Sequence, residues 1–245
     1  MHMRIDILKY TLILLSISAA LTSYSEEQKI LFREDFNDLN NWNQLYFPKI
    51  KRHTSYTVMS GGEGKYLKAE SNASASAIIH KKTFNVYEFP IVKWRWKVEN
   101  VYEKGDAKIK AGDDYPLRIY ISFKYDPKTA GFFERVKYKS AKLLYGEYPP
   151  QSSLNYIWAN RKHKETIINN SYTKKSKMIL LQKGVLNVEK WQTHEVNIIE
   201  DYQRAFGNKP PAVASIAIMN DSDNTGEKSV SYLDYIEVYK KEVKE

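Results

Sequence analysis

Two segments in the middle of the chain alternate without a break. In "PIVKWRWKVEN", Val92, Trp94, Trp96 and Val98 fall on one side, and Lys93, Arg95, Lys97 and Glu99 on the other. In "PLRIYISFKY", Leu117, Ile119, Ile121 and Phe123 alternate with Arg118, Tyr120, Ser122 and Lys124. A period of two belongs to an extended strand with one buried face; a helix would scatter these apolar residues around its axis. The segments Leu154–Asn160, Trp191–Ile199, Ala212–Asn220 and Ser229–Tyr239 read as strands too, as do shorter runs at Ile30–Phe36, Tyr56–Ser60, Tyr66–Glu70 and Ser76–Lys81. Strands with one apolar face must pair those faces. The pattern therefore predicts an all-β chain, two antiparallel sheets packed as a β-sandwich of jelly-roll type. Trp94 and Trp96 share a face with Val92 and Val98 and belong to its core.

Two segments depart from this period. Gly131–Gly146 carries Phe132, Phe133, Val136, Leu143 and Leu144 at helical spacing and is followed by Pro149 and Pro150, which predicts one helical insertion. "EDYQRAFG", Glu200–Gly207, reads as a short helix or turn stopped by its glycine and by Pro210 and Pro211. "GGEGK", Gly61–Lys65, lacks phosphate-loop spacing and reads as a hairpin turn.

The strand pattern starts only after residue 25. Before it, Arg4 and Lys9 precede the apolar run "TLILLSISAAL" (Thr11–Leu21), and Ser23-Tyr24-Ser25 supplies small residues around a cut before Glu26. That layout predicts a signal peptide over 1–25, and a mature β-sandwich domain over 26–245 that is exported to the periplasm or beyond. The run is shorter than the roughly 20 residues of a membrane-spanning helix, so no transmembrane anchor is expected after cleavage. With no cysteine anywhere, disulfides, thiol catalysis and a lipid-modified Cys are all excluded. The net charge of +9 invites a nucleic-acid partner. The cations are dispersed, however, and their densest run, Arg161–Lys177, lies between strand-like segments and shows no known nucleic-acid motif of interleaved aromatic rings. It reads as a solvated hairpin or loop, and no nucleic-acid partner is expected. The five His residues have no zinc-ligand spacing, so neither a zinc enzyme nor a His-dependent triad is expected.

Oxygen donors remain. "DSDNTGE" places Asp221, Asp223 and Thr225 at alternate positions, followed by Gly226 and Glu227. Calcium loops use oxygen ligands at that spacing with a glycine for the bend, although the closing Glu of a helix–loop–helix site is absent: Tyr232 stands there. Like charges this close repel unless a divalent cation or an arginine compensates them. Asp221, Asp223, Thr225 and Glu227 are thus candidate Ca²⁺ ligands, with Arg118 as the alternative partner. Asp113 and Asp114 sit just before one strand, and Asn160 closes another. If those strands are antiparallel neighbours, the three fall at one sheet end, near the Asp221–Glu227 loop. In an extended chain, neighbouring Asp113 and Asp114 point apart, so one of them would face the site.

The ordered series "WRWKVEN", "KAGDDYPLRIYISF", "LNYIWAN", "DYQRAFGNKPP" and "IAIMNDSDNTGE" resembles an uncharacterised family of bacterial exported proteins, domain of unknown function 3047. The resemblance spans about Leu31 to Tyr239. It implies no activity, but it places the acidic stretches within the family pattern. At the level of architecture, "LFREDFNDLNNW", "EKWQTHEVNI" and "YLDYIEVY" look like strands of lectin-like and carbohydrate-binding-module-like jelly rolls. Carboxylates of the first and last strands often hold a structural Ca²⁺ in such folds, which implies a second site at Glu34, Asp35 and Asp234.

Three functions follow. A glycan-binding module would use Asp113, Asp114, Arg118, Asn160 and Asn224 for hydroxyls, and Trp42 and Trp158 for sugar faces, with a polysaccharide or envelope glycan as partner. A glycoside-acting enzyme would need two carboxylates across a cleft, drawn from Asp114, Asp223 and Glu227. A structural envelope protein would use the acidic loop for stability alone.

Overall fold

A computed structural model describes residues 26–62, 64–128, 131–145 and 148–243 of the chain. The leader expected over 1–25 lies outside these residues. The chain runs β1 (Glu26–Glu34), β2 (Trp42–Leu45), β3 (Ser55–Gly61), β4 (Gly64–Asn72), β5 (Ala75–His80), β6 (Phe84–Asn85) and β7 (Ile91–Val98). A 3₁₀ turn (Lys110–Gly112) leads into β8 (Arg118–Phe123), then α1 (Phe132–Tyr145), β9 (Ser152–Ala159), β10 (Ile167–Asn169) and β11 (Ser176–Lys183). β12 (Gln192–Asn197), α2 (Ile198–Phe206), β13 (Val213–Asp221) and β14 (Lys228–Val243) complete it.

The strands form the two sheets of a jelly-roll sandwich. One has the order β12-β7-β14-β4-β3, with β1 also on β14; the other runs β10-β11-β9-β8-β13-β5-β2, with β6 on β13. The predicted alternation is what joins them. Val92, Trp94, Trp96 and Val98 of β7 are fully buried against Leu117, Ile119, Ile121 and Phe123 of the other sheet. One expectation fails: β9 and β11 pair in parallel, so the second sheet is mixed. The connection between them carries β10, a three-residue strand inside the basic run, where polar residues mask any period.

Local chemistry sets the boundaries. The Asn197 side chain accepts hydrogen bonds from Ile199 N and Glu200 N, so the expected strand "WQTHEVNII" ends there and a helix begins. Gly207 closes that helix in the left-handed region at φ 77°. Gly61 and Gly64 pair across the β3–β4 hairpin, as the turn reading of "GGEGK" requires.

Both tryptophans expected to meet a sugar are in the core. Trp42 opens β2 at 7% exposure, stacked near Phe36, and its indole N–H donates to Glu34 Oε2 at 3.3 Å. A four-residue strand flanked by asparagines is too short to show a period, which is why its sequence reads as loop. Trp158 is fully buried, 6.1 Å from Trp96, with its N–H on the Gly184 carbonyl at 3.1 Å. Among the described residues, no helix is long and apolar enough to cross a membrane.

Candidate functional site

β8 and β13 are antiparallel neighbours, with Arg118 opposite Met219, and β8 and β9 are antiparallel with Arg118 opposite Ile157. The approach to β8, the exit from β13 and the exit from β9 therefore meet at one end of the sheet. Asn160 ties two of them together: its amide donates to the Asp114 carbonyl at 2.7 Å, and its side-chain oxygen accepts from Tyr102 N at 2.9 Å. Gly105 makes room for this, because a Cβ there would stand 2.1 Å from Asn160 Nδ2. Asn160 thus positions backbone and offers no free group to a ligand.

Asp221 is the last residue of β13 and is buried. Its Oδ2 accepts from the Arg118 guanidinium and its Oδ1 from Tyr115 N at 3.2 Å. The chain then turns through Gly226, at φ 73° with its N–H on the Ser222 carbonyl at 2.9 Å, and crosses into β14 of the other sheet. This crossing carries the acidic loop over Asp114. Buried Asp114 accepts from Thr225 N at 2.6 Å and from Asn224 Nδ2 at 2.9 Å. Oxygens of Asp114, Asp221 and Asp223 lie within 4.8 Å of one another, a set that could hold a metal ion.

Asp113 joins them. The 3₁₀ turn ends at Asp113 (φ −80°, ψ 52°), so the extended-chain rule that would turn it away from Asp114 does not apply. Its carboxylate accepts from Tyr115 OH at 2.9 Å and Asn170 Nδ2 at 3.0 Å and lies 4.0 Å from Arg118 Nη1. Asp221 and Asp113 thus share one guanidinium, with Asp114 and Asp223 close beside Asp221. Burial pushes Asp221 well above the usual carboxylate range; Arg118 pulls it down, and Asp114 and Asp113 push it up further. Asp113 is also raised by burial, against the pull of Arg118, and Asp223 is raised by burial and by Asp114. Among the described residues, the buried Arg118 Nε has no hydrogen-bond partner.

Other candidates fall elsewhere. Glu227 neither closes the site nor pairs with Arg118. Its two oxygens accept from Glu103 N and Lys104 N, both at 3.0 Å, which fastens the 101–117 connection to the loop. Thr225 is buried, its carbonyl accepting from Lys104 Nζ at 3.3 Å and its hydroxyl oxygen from Glu227 N at 3.4 Å, and it is absent from the converging acidic group. At the other proposed centre, Glu34 accepts from Phe36 N, Asn41 Nδ2 and Trp42 Nε1, Asp35 pairs with Arg33, and Asp234 pairs with Arg95. Each is compensated separately, and among the described residues the only converging acidic group is Asp114, Asp221 and Asp223.

Two residues at the rim escaped the sequence reading. Asn170 and Tyr172 come from the basic run expected to be only a solvated loop. Tyr172 is 57% exposed, and its hydroxyl lies 3.1 Å from Asn224 Oδ1. The uncharged "NNSY" inside a run of cations was the available signal.

The chain belongs to the family described as protein of unknown function DUF3047, whose profile matches residues 40–237. No curated protein matches the sequence. Among solved structures, the chain is similar to the Lotus tetragonolobus seed lectin, at 10% identity and TM-score 0.40, covering 87% of this chain and 99% of that one. It is similar to a family 12 xyloglucanase from Bacillus licheniformis, at 7% identity and TM-score 0.42, covering 90% and 100%. It is also similar to the enzymatically active domain of bacteriophage CBA120 tailspike protein 4, at 8% identity and TM-score 0.39, covering 85% of this chain but 20% of that one. Likenesses of this size say nothing of a ligand or a reaction in this chain.

Proposed function

We propose that this DUF3047-family sandwich is an exported glycan-binding protein whose acidic strand-end site holds one Ca²⁺. Asp114, Asp221 and Asp223 are its ligands, and hydroxyls of an envelope or extracellular polysaccharide complete the shell beside Asn224 and the exposed ring of Tyr172. The reading is carried by one observation: three carboxylates converge within 4.8 Å while a single arginine, engaged with Asp221, offsets them. Carboxylate oxygens this close to one another can share one hard cation, which takes oxygen ligands. Four ionised carboxylates and one guanidinium leave a charge near −3 in a largely buried site. A divalent ion reduces it to about −1 and offsets the burial and, after it, the mutual repulsion that raise Asp113, Asp221 and Asp223. Vicinal hydroxyls are neutral oxygen donors and suit the remaining coordination positions.

The catalytic alternative loses support from the same geometry. Of its candidate carboxylates, Glu227 has both oxygens held by Glu103 N and Lys104 N, which takes it out of any pair facing Asp114 across a cleft. The purely structural reading is favoured by the Arg118–Asp221 pair, which could hold the loop without an ion. A glycan array probed in Ca²⁺ and in EDTA separates these readings. The expected result is polysaccharide binding in Ca²⁺ that disappears in EDTA and in Asp223→Ala. Equal signals in both buffers, or none in either, would overturn the calcium-dependent reading.

A further inference from the structure

Helix α1 is a 14-residue excursion between β8 and β9, and nothing in the acidic site uses it. One face holds it to the sandwich. Tyr138 is buried, its ring stacked on Tyr125 at 3.7 Å and its hydroxyl on the Pro150 carbonyl at 3.2 Å. Lys175 covers that ring and pairs with Glu134, so the acidic residue of this helix is already spoken for at 3.7 Å. The opposite face is apolar and points to solvent. Phe132 is 67% exposed, Phe133 87% and Val136 50%. Val136 and Tyr138 are two positions apart, about 200° around a helix, so the apolar strip stands away from the protein. Among the described side chains of the helix, Tyr138 faces the sandwich while Phe132 and Phe133 face outward.

The flank of the strip is cationic. Arg135, Lys139 and Lys142 are exposed on it, and Lys124 and Lys128 lie exposed just before the helix. An apolar strip edged by cations is how a helix lies in the boundary between lipid headgroups and acyl chains: rings enter the apolar layer and amines stay at the phosphates. We propose that α1 is a docking helix for an anionic bilayer surface, with Phe132, Phe133 and Val136 inserted and Arg135, Lys139 and Lys142 on lipid phosphates. Charge selects this occupant. A second copy of the chain would bring the same cations against these. The chain's own apolar run at Thr11–Leu21 follows Arg4, Asp6 and Lys9 and offers no surplus negative charge. The proposal is independent of the calcium reading.

The chain contains no cysteine, so Phe133→Cys accepts a single environment-sensitive dye. Vesicles of phosphatidylcholine with phosphatidylglycerol should shift its emission to the blue, and phosphatidylcholine alone should not. Each basic residue near an anionic surface is worth about fivefold in partitioning, so Lys139→Ala with Lys142→Ala should raise the lipid needed for half the shift on the order of twentyfold. Unlabelled chain should sediment with the anionic vesicles, and the Phe132→Ser/Phe133→Ser variant should need about tenfold more lipid or beyond. Both substituted rings are exposed, so the fold should keep its far-ultraviolet circular dichroism. Four results would overturn the proposal: no shift with anionic vesicles, an equal shift with neutral ones, a shift on raising protein concentration without lipid, or undiminished sedimentation of the double Phe variant.

Discussion

Two parts of this molecule gather carboxylates near strand ends, and they reach opposite electrostatic outcomes. Around Glu34, every acid is compensated: backbone and indole N–H groups for Glu34, Arg33 for both Asp35 and Glu237, Arg95 for Asp234. Around Asp221, four acids gather, and Arg118 lies within ion-pair reach of two of them, Asp221 and Asp113. The chain as read from sequence offered both as metal centres, and only the second brings its oxygens together. Proximity of acids is common; convergence without compensation is what a cation site requires. Each test below asks whether that contrast holds.

The largest effect should come from Asp221→Ala, which leaves the buried Arg118 charge without its main partner. Loss of one member of a buried pair costs about 3–5 kcal/mol, and Asp113 at 4.0 Å from Arg118 should keep the loss toward the lower end. Urea denaturation would measure it. The double variant Arg118→Met/Asp221→Leu should regain part of the loss, because it removes both charges of the pair, although Asp113 then loses its guanidinium. If the single variant costs under 1 kcal/mol, the pair does not organise this end of the sheet.

The next effect divides the two regions directly. If Ca²⁺ binds only the folded chain, a hundredfold excess over its dissociation constant adds about 2.7 kcal/mol. Thermal melts should show this in the wild type and in Glu34→Ala, and not in Asp223→Ala. Glu34→Ala should itself cost about 1–3 kcal/mol, since it strands the N–H groups of Phe36 and Trp42. Phe36 would suffer most: it sits at φ 51°, and its N–H is held by Glu34 Oε1 at 2.9 Å. Wild-type melts that coincide across millimolar Ca²⁺ would leave Arg118 as the loop's only counter-charge.

Proton linkage gives a third test. Asp113, Asp221 and Asp223 are raised above their ordinary 3.8, so the folded chain holds protons that the unfolded chain has released. Stability of the ion-free protein should therefore fall as pH rises from about 4 through the raised values, with the full penalty present above them. Calcium should flatten that slope, and Asp223→Ala should reduce it. A stability that rises with pH over this range in EDTA would contradict the uncompensated cluster.

How far the sequence revealed all this depended on the range of each interaction. Period-two alternation is local, so β7, β8, β9, β13 and β14 were legible with their buried faces. The short strands β2 and β10 were not legible as strands, because three or four residues carry no period. The approach of one of Asp113 and Asp114 to the Asp221 loop was legible as the consequence of neighbouring strands; that both approach was not, because the 3₁₀ turn ending at Asp113 breaks the extended pattern. The roles within it were not. Whether Glu227 meets a metal or the N–H groups of Glu103 and Lys104 is decided by a connection 123 residues away in sequence. Trp42 and Asn170 fail to declare themselves for the same reason: their partners come from other strands.

The smallest effect is expected at Asp234, and it closes the contrast from the other side. Asp234 and Arg95 lie 3.0 Å apart on the outer face of the β7–β14 sheet, both partly open to water. Solvent screens such a pair, and the guanidinium has a second support in the Trp191 ring, 5.0 Å from its carbon. Asp234→Asn should thus cost no more than about 1 kcal/mol, and less at high salt. It should leave the calcium response untouched, since Asp234 is not among the converging acids. Urea midpoints at low and high salt, each with Ca²⁺ and with EDTA, would read both properties. A calcium response that vanished in Asp234→Asn, and survived in Asp223→Ala, would move the ion from the exit of β13 to the first and last strands and invert the comparison.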